Sequence, residues 1–162
     1  MTIWYNPADK SLHDDMDGAA LSLPSWPQGM IEATAEQITP PVTLAVAQAI
    51  QSDAIEQAYS AAITTDISFT TAGGVTTSFQ ADSDSQQTII AATQGYGLAG
   101  SVPAGFFWKA ADNSEIPFTL ADLRGLYLAI LAQGWAAFQK KSSLKTAISA
   151  ATTVAAVQAI TW

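Results

Sequence analysis

The segment TLADLRGLYLAILAQGWAAFQKK, residues 119–141, constrains this chain more than any other. Leu123, Tyr127, Ile130 and Phe138 fall on one helical stripe, and Leu126, Leu128, Leu131 and Trp135 cover much of the remainder. A helix that is apolar nearly all round is either central to its domain or shared with a partner chain. Thr119 can cap its start, and Asp122 follows three residues later near the positive end of the dipole. Lys140 and Lys141 complement its expected C-terminal end. The most apolar part, LYLAILAQGWAAF, is too short and too interrupted for a membrane span.

Hairpin patterns surround that helix. In ISFTTAGGVTTSF, Ile67, Phe69 and Thr71 alternate, Gly73-Gly74 turns, and Val75, Thr77 and Phe79 alternate back. GFFWKAADNSEIPF reads as a second hairpin with DNSE at its tip, and Pro117 restricts its strand to an edge or ends it. TIWYNPADKSLHDD reads as a third, with turn chemistry in NPAD. LPSWPQG then places two prolines around Trp26, so an extended loop is expected there, anchored by that ring. A helix is expected after Pro41, with Val46, Ile50, Ala54 and Ala58 on one ridge and Ile55, Tyr59 and Ile63 on the next. Leu144, Ile148 and Ala151 continue a helical face, and Thr152 or Thr153 restarts a short helix. The fold class is therefore α+β: short antiparallel hairpins packed with a long apolar helix and C-terminal helices. The expected division is a small hairpin-containing module at 1–42, a linker helix at 43–64 and a C-terminal α+β domain at 65–162.

FQADSDSQQTII poses a choice between a metal loop and a helix start. A calcium loop counted from Asp82 needs glycine at position six and glutamate at position twelve, where Gln87 and Thr93 stand. Ser83 and Gln86 have capping-box spacing, with Asp82 and Ser85 as alternative caps, so a helix over about Ser85 to Thr93 is expected. HDDMD gathers His13, Asp14, Asp15 and Asp17, plausible ligands for a divalent cation. Consecutive residues in a turn point in different directions, so a solvated acidic loop is the preferred reading. GYGLAG, Gly95 to Gly100, has the nominal spacing of a nucleotide loop. No strand is expected before it and no helix after it, so it reads as a flexible connection.

No catalytic set emerges from one histidine and no cysteine, and no enzyme, cofactor or metal site is expected. Charged residues are 12% of the 162, and the formal net charge is −8. Eleven acids stand against one lysine through Ala99, and three acids against five basic residues from Gly100 onward. An acidic balance opposes phosphate backbones, so nucleic acid is not an expected partner. Surfaces this weakly charged often meet other protein, and a homo-oligomer is among the expected assemblies. The start MTIWYNPADK has no basic stretch leading into an apolar run, so no signal peptide is expected. Aromatic residues dominate binding hot spots. Trp4, Tyr5, Trp26 and Trp162 are the candidate protein-interface residues, while Trp108 and Trp135 are expected to pack in the core.

Three stretches in order, GGVTTSFQADSDSQQTI, WKAADNSEIPFTLADLRGL and LKTAISAATTVAAVQAITW, resemble a bacteriophage domain family known as domain of unknown function 4376. The resemblance spans roughly Ile55 to Trp162. IWYNPADKSLHDDMDGAALSLP looks like the opening of phage tail-fibre assembly chaperones, with an aromatic-rich hairpin and a proline-containing loop. These resemblances imply a tail protein that binds the fibre and assists its assembly, or caps it, by protein–protein contact. They imply no catalytic residues. The partner would be a tail-fibre or baseplate protein, and the location the virion tail or the host cytoplasm during phage assembly. A permanent structural subunit of the fibre or baseplate is the alternative.

Overall fold

The computed structural model describes residues 2–15 and 26–162. The chain divides into two units, Met1–Thr43 and Leu44–Trp162. In the first, β1 (Thr2–Tyr5) pairs antiparallel with β2 (Leu12–Asp15) and with β3 (Ile31–Glu32), giving the order β2-β1-β3. The NPAD turn forms as its composition dictates. Asn6 Oδ1 accepts from the Ala8 N–H at 3.0 Å, and the Asp9 carboxylate accepts from the Ser11 N–H and hydroxyl. Lys10 takes a left-handed φ of 62° to close it. A single turn, α1 (Ala35–Ile38), follows, held by a capping box between Thr34 and Gln37.

The second unit holds α2 (Leu44–Ile63), the hairpin β4 (Ile67–Thr70) and β5 (Thr76–Phe79), α3 (Ser83–Ala99), the hairpin β6 (Phe107–Lys109) and β7 (Glu115–Pro117), α4 (Leu120–Ala150) and α5 (Val154–Gln158). This is the α+β arrangement of short antiparallel strand pairs around a long helix. The helix expected as a linker is instead integral to this unit, because Ala47 and Ile55 are buried in a core with Ile148 and Val157. Of its two expected ridges, the one carrying Ile55 faces inward, while Val46 and Ile50 remain exposed.

Helix α4 organises the unit. Its N-terminal half buries Leu123, Leu126 and Ile130 in a core with Phe79, Ile89 and Phe118. Phe69, Phe79 and Phe118 meet there at centroid distances of 5.2–6.3 Å, the range that favours edge-to-face contact. The two hairpins join where the Ala111 N–H donates to Ser78 O at 2.8 Å. The C-terminal half of α4 buries Ile148 in the other core. The helix runs unbroken to Ala150, so Lys140 and Lys141 lie mid-helix rather than at its end.

Side-chain amides satisfy helix ends that have no basic residue in their last turns. Gln133 Nε2 donates to Ala62 O and Thr65 O at 2.9 Å, closing the end of α2. Gln48 Nε2 donates to Ile148 O and Ala151 O, closing the end of α4. These two amides fix α2 antiparallel to α4.

Helix α3 differs from expectation at both ends. Asp82 is the cap, accepting from the Asp84 and Ser85 N–H groups at 3.0 Å. The helix continues through the GYGLAG stretch to Ala99, and only Gly100, at φ 79°, ends it. Tyr96 explains the extension: it packs on the core and meets the Phe106 ring edge-on at 5.2 Å. Such contacts override the modest cost of glycine in a helix. Thr119 caps α4 as expected, Asp122 completes a capping box with it, and Thr153 caps α5.

Two glycines separate packing from propensity. A Cβ at Gly125 would lie 2.8 Å from Phe69 Cζ, whereas one at Gly95 would meet nothing within 4 Å. Gly125→Ala should destabilise by about 1–2 kcal/mol despite its better helix propensity, because the overlap forces an aromatic cluster apart. Gly95→Ala should stabilise by up to about 1 kcal/mol. Urea unfolding of both variants checks the contrast.

The buried Asp122 gives a second test. Burial pushes its carboxyl up. Hydrogen bonds from the Thr119 hydroxyl, the Ala72 N–H and the Thr119 N–H outweigh that and hold it below the ordinary aspartate value. A lowered folded-state pKa contributes stability above the unfolded value, near 3.9, and loses it as pH falls through the folded value. Asp122→Asn should therefore cost about 1–3 kcal/mol near neutral pH. The gap to the wild type should shrink below about pH 4 in a pH series of unfolding curves.

Candidate functional site

The acidic side chains do not converge on a reaction centre. In β2, strand alternation turns His13 and Asp15 to one face and Asp14 to the other, because His13 lies opposite Trp4 and Asp14 opposite Ile3. His13 Nε2 is 2.7 Å from the Ser11 hydroxyl, and its ring meets Trp26 edge-on at 5.8 Å. Asp17, the remaining member of that cluster, lies outside the described residues. Among the described residues no group of three or more His, Asp or Glu side chains could hold a metal ion.

Three other aspartates are occupied by turns and caps. Hydrogen bonds from Ser11 lower the Asp9 carboxyl, those from Ser85 lower Asp82, and those from Ser114 lower Asp112. Each accepts from a serine hydroxyl at 2.6–2.8 Å. These are local bonds of the kind that favour turns and helix caps. The DSDS stretch is thus a helix cap in geometry as well as in spacing.

What the molecule does offer is apolar surface, in each unit separately. In the first unit, Tyr5 lies directly opposite Leu12 on one side and Ile31 on the other, so the three form a row across one sheet face. Leu12 is 44% exposed and Ile31 48%. Trp4 belongs to the other face, opposite His13 and Glu32, and Trp26 packs edge-on to His13. The candidates Trp4 and Tyr5 therefore look in opposite directions. Trp162 sits against the α2/α4/α5 core, with Lys140 Nζ 4.8 Å above its ring, so that ring is engaged within its own unit.

In the second unit, α4 turns a second apolar face outward. Leu128, Leu131, Trp135 and Phe138 are all exposed, and Trp135 stacks on Phe138 at 5.7 Å with an interplanar angle of 20°. Core packing was the expectation for Trp135, and its 60% exposure overturns it. The buried face of α4 is already supplied by Leu123, Leu126 and Ile130, which leaves Trp135 on the far side. Trp108 does pack on the core, stacked on Phe118. Beside Trp135 lies a groove of about 540 Å³ between α2 and α4, floored by Gly134 and walled by Tyr59, Ile63 and Ile130. A separate surface depression beyond Phe138 holds Glu56, whose carboxylate lies 2.5 Å from Lys145 and 3.2 Å from Lys141, with Lys141 Nζ 3.9 Å above the Tyr59 ring.

The exposed α4 face and the Leu12–Tyr5–Ile31 row were not singled out in the sequence as surfaces. The first could have been found by removing the core-facing stripe and asking what spacing remains.

The family model for domain of unknown function 4376 matches residues 44–161, more than two thirds of the chain. Its limits coincide with the second unit and include α2. Comparisons with curated proteins and with solved structures each return no match. No helix among the described residues is long and apolar enough to cross a membrane.

If Trp135 is a surface group, removing it costs the isolated fold little. Trp135→Ala should lower unfolding free energy by less than about 1 kcal/mol in dilute solution, against about 2–5 kcal/mol for the buried Leu126→Ala. Equilibrium denaturation at low protein concentration checks the pair.

Proposed function

We propose that this chain, which belongs to the domain of unknown function 4376 family, is a bacteriophage tail protein that binds the tail fibre and assists its assembly or caps it. It acts by protein–protein contact and catalyses no reaction in this reading. The observation that carries it is the Leu12–Tyr5–Ile31 row, an apolar strip held flat across three short strands in the unit that precedes the family domain. Such a strip suits a partner that displays apolar surface while it folds. The likeness of the N-terminal segment to tail-fibre assembly chaperones supports the same reading. The local bonds of Asp9, Asp82, Asp112 and Asp122, spent on turns and caps, are consistent with it.

Co-expression with the neighbouring fibre gene, followed by size-exclusion chromatography, tests this. The chain and the fibre protein should co-elute, and soluble fibre should rise with the chain present. Leu12→Ser combined with Ile31→Ser should abolish co-elution and leave the circular dichroism spectrum unchanged. A fibre that folds equally well alone, with no complex eluting, would sink the proposal. Finding the chain in purified virions by mass spectrometry would favour a permanent subunit over a departing assembly factor.

A further inference from the structure

The outward face of α4 has a regular spacing. Leu128, Leu131, Trp135 and Phe138 follow one another at intervals of three, four and three residues. That is the spacing of a seam that packs against another helix. It lies on the opposite side of α4 from Leu126, Ile130 and Ala137, which face the core. From Gly125 to Gln139 no residue of the helix is charged. A solvent-facing stripe of this length normally carries charge.

We propose that this seam is the contact between two copies of the chain, packed α4 against α4 in antiparallel orientation. The register is self-complementary. A two-fold axis at the level of residue 133, on the side of α4 away from the Gln133 amide, sets Leu128 against Phe138 of the second copy, and Leu131 against Trp135 of the second copy. Every leucine then meets an aromatic ring, and each pair recurs across the axis, as an isologous contact requires. Ala132 and Gly134 flank the axis and let the helices approach closely.

Side-chain pairing distinguishes this orientation from the parallel one, which would set each leucine on leucine and each ring on the same ring. Arg124 and Ser142 continue the seam at its two ends. Parallel packing sets Arg124 against its own copy. Antiparallel packing sets each Arg124 against Ser142 of the second copy, on the surface that Ser142 shares with the Glu56 carboxylate. Glu56 offsets one of the two charges on Lys141 and Lys145, so that end keeps a net positive charge and the orientation rests on the side-chain pairing.

The area is sufficient. The four seam side chains are between 45% and 62% exposed. Together they leave on the order of 400 Å² of apolar surface on one face, the size of the largest patch on an ordinary monomer. Two such faces with their rims reach the roughly 1,000 Å² that a specific interface needs. The inference is independent of the tail-fibre reading, since it uses a different unit and is tested on the purified chain alone.

Sedimentation velocity of the full chain should show a monomer–dimer equilibrium between about 1 and 100 μM, where a contact of this size dissociates. Trp135→Glu should weaken association at least tenfold with unchanged helical circular dichroism. Leu128→Glu, at the other end of the seam, should do the same if the first variant folds poorly. Orientation is read from nitroxide labels on cysteines at two equivalent flanking positions, Ala132→Cys and Gln139→Cys, in a chain with no other cysteine. Antiparallel packing makes the interspin distance at 139 longer than at 132 by roughly 8–10 Å, the axial offset adding at right angles to the interhelix separation, and parallel packing makes them equal. A wild type that stays monomeric throughout, a dimer that survives both glutamate variants, or equal label distances would each overturn the proposal. So would a monomer whose Trp135→Glu variant loses only its binding to a fibre protein, which would give the face to another partner.

Discussion

The antiparallel pairing of α2 with α4 is the constraint on which the second unit rests. Two glutamines lock it from opposite ends: Gln48 reaches the last carbonyls of α4 and Gln133 those of α2. Gln86 repeats the device, donating to Ile63 O and Ala81 O, and Gln51 donates to Ile160 O. Buried terminal carbonyls without donors are costly, and lysine or arginine commonly supplies them. Here neutral amides do so. Part of the low charge that suggested a protein partner thus has a cause inside the fold.

This bears on how composition is read. Glutamine at a helix end is neither a surface filler nor a sign of disorder when its amide has two carbonyls to serve. The exposed apolar residues are a separate matter. Leu128, Leu131, Trp135 and Phe138 contribute to no internal bond network of that kind, and their exposure is not explained by the packing of the unit that carries them.

Much of the fold was legible because it rests on local rules. The three hairpins follow from alternation and turn residues, and Thr119 with Asp122 and Thr153 announce their helices through capping. The errors came where tertiary contact overrode local preference. Gly95 and Gly97 looked like a loop, but Tyr96 between them is held on the core, so α3 carries through. Lys140 and Lys141 looked terminal, but SLKTAISA buries Ile148 against α2 and extends α4. The 43–64 helix looked like a linker because its ridges could be seen while their target could not. Trp135 looked like core because size and hydrophobicity favour burial, whereas its angular position relative to Leu126 and Ile130 decides otherwise. The candidate interface residues sit in different surroundings. Tyr5 lies in an exposed row, while the Trp162 ring is engaged by its own unit.

Contact surfaces in both units give the functional reading an internal logic. A strip of three side chains, Leu12, Tyr5 and Ile31, is small beside the area of a stable interface, so one copy of it binds weakly. Pairing through α4 would place two strips in one particle. A second strip tethered to the first binds at an effective concentration rather than a free one, and overall affinity rises steeply without any new contact. That combination suits an assembly factor, which must hold a fibre while it folds and release it afterwards. Weak single contacts let go one at a time, whereas a single large interface would not. If the chain is the assembly factor proposed, a small row would suit the task, and pairing through the α4 seam would let so small a row suffice.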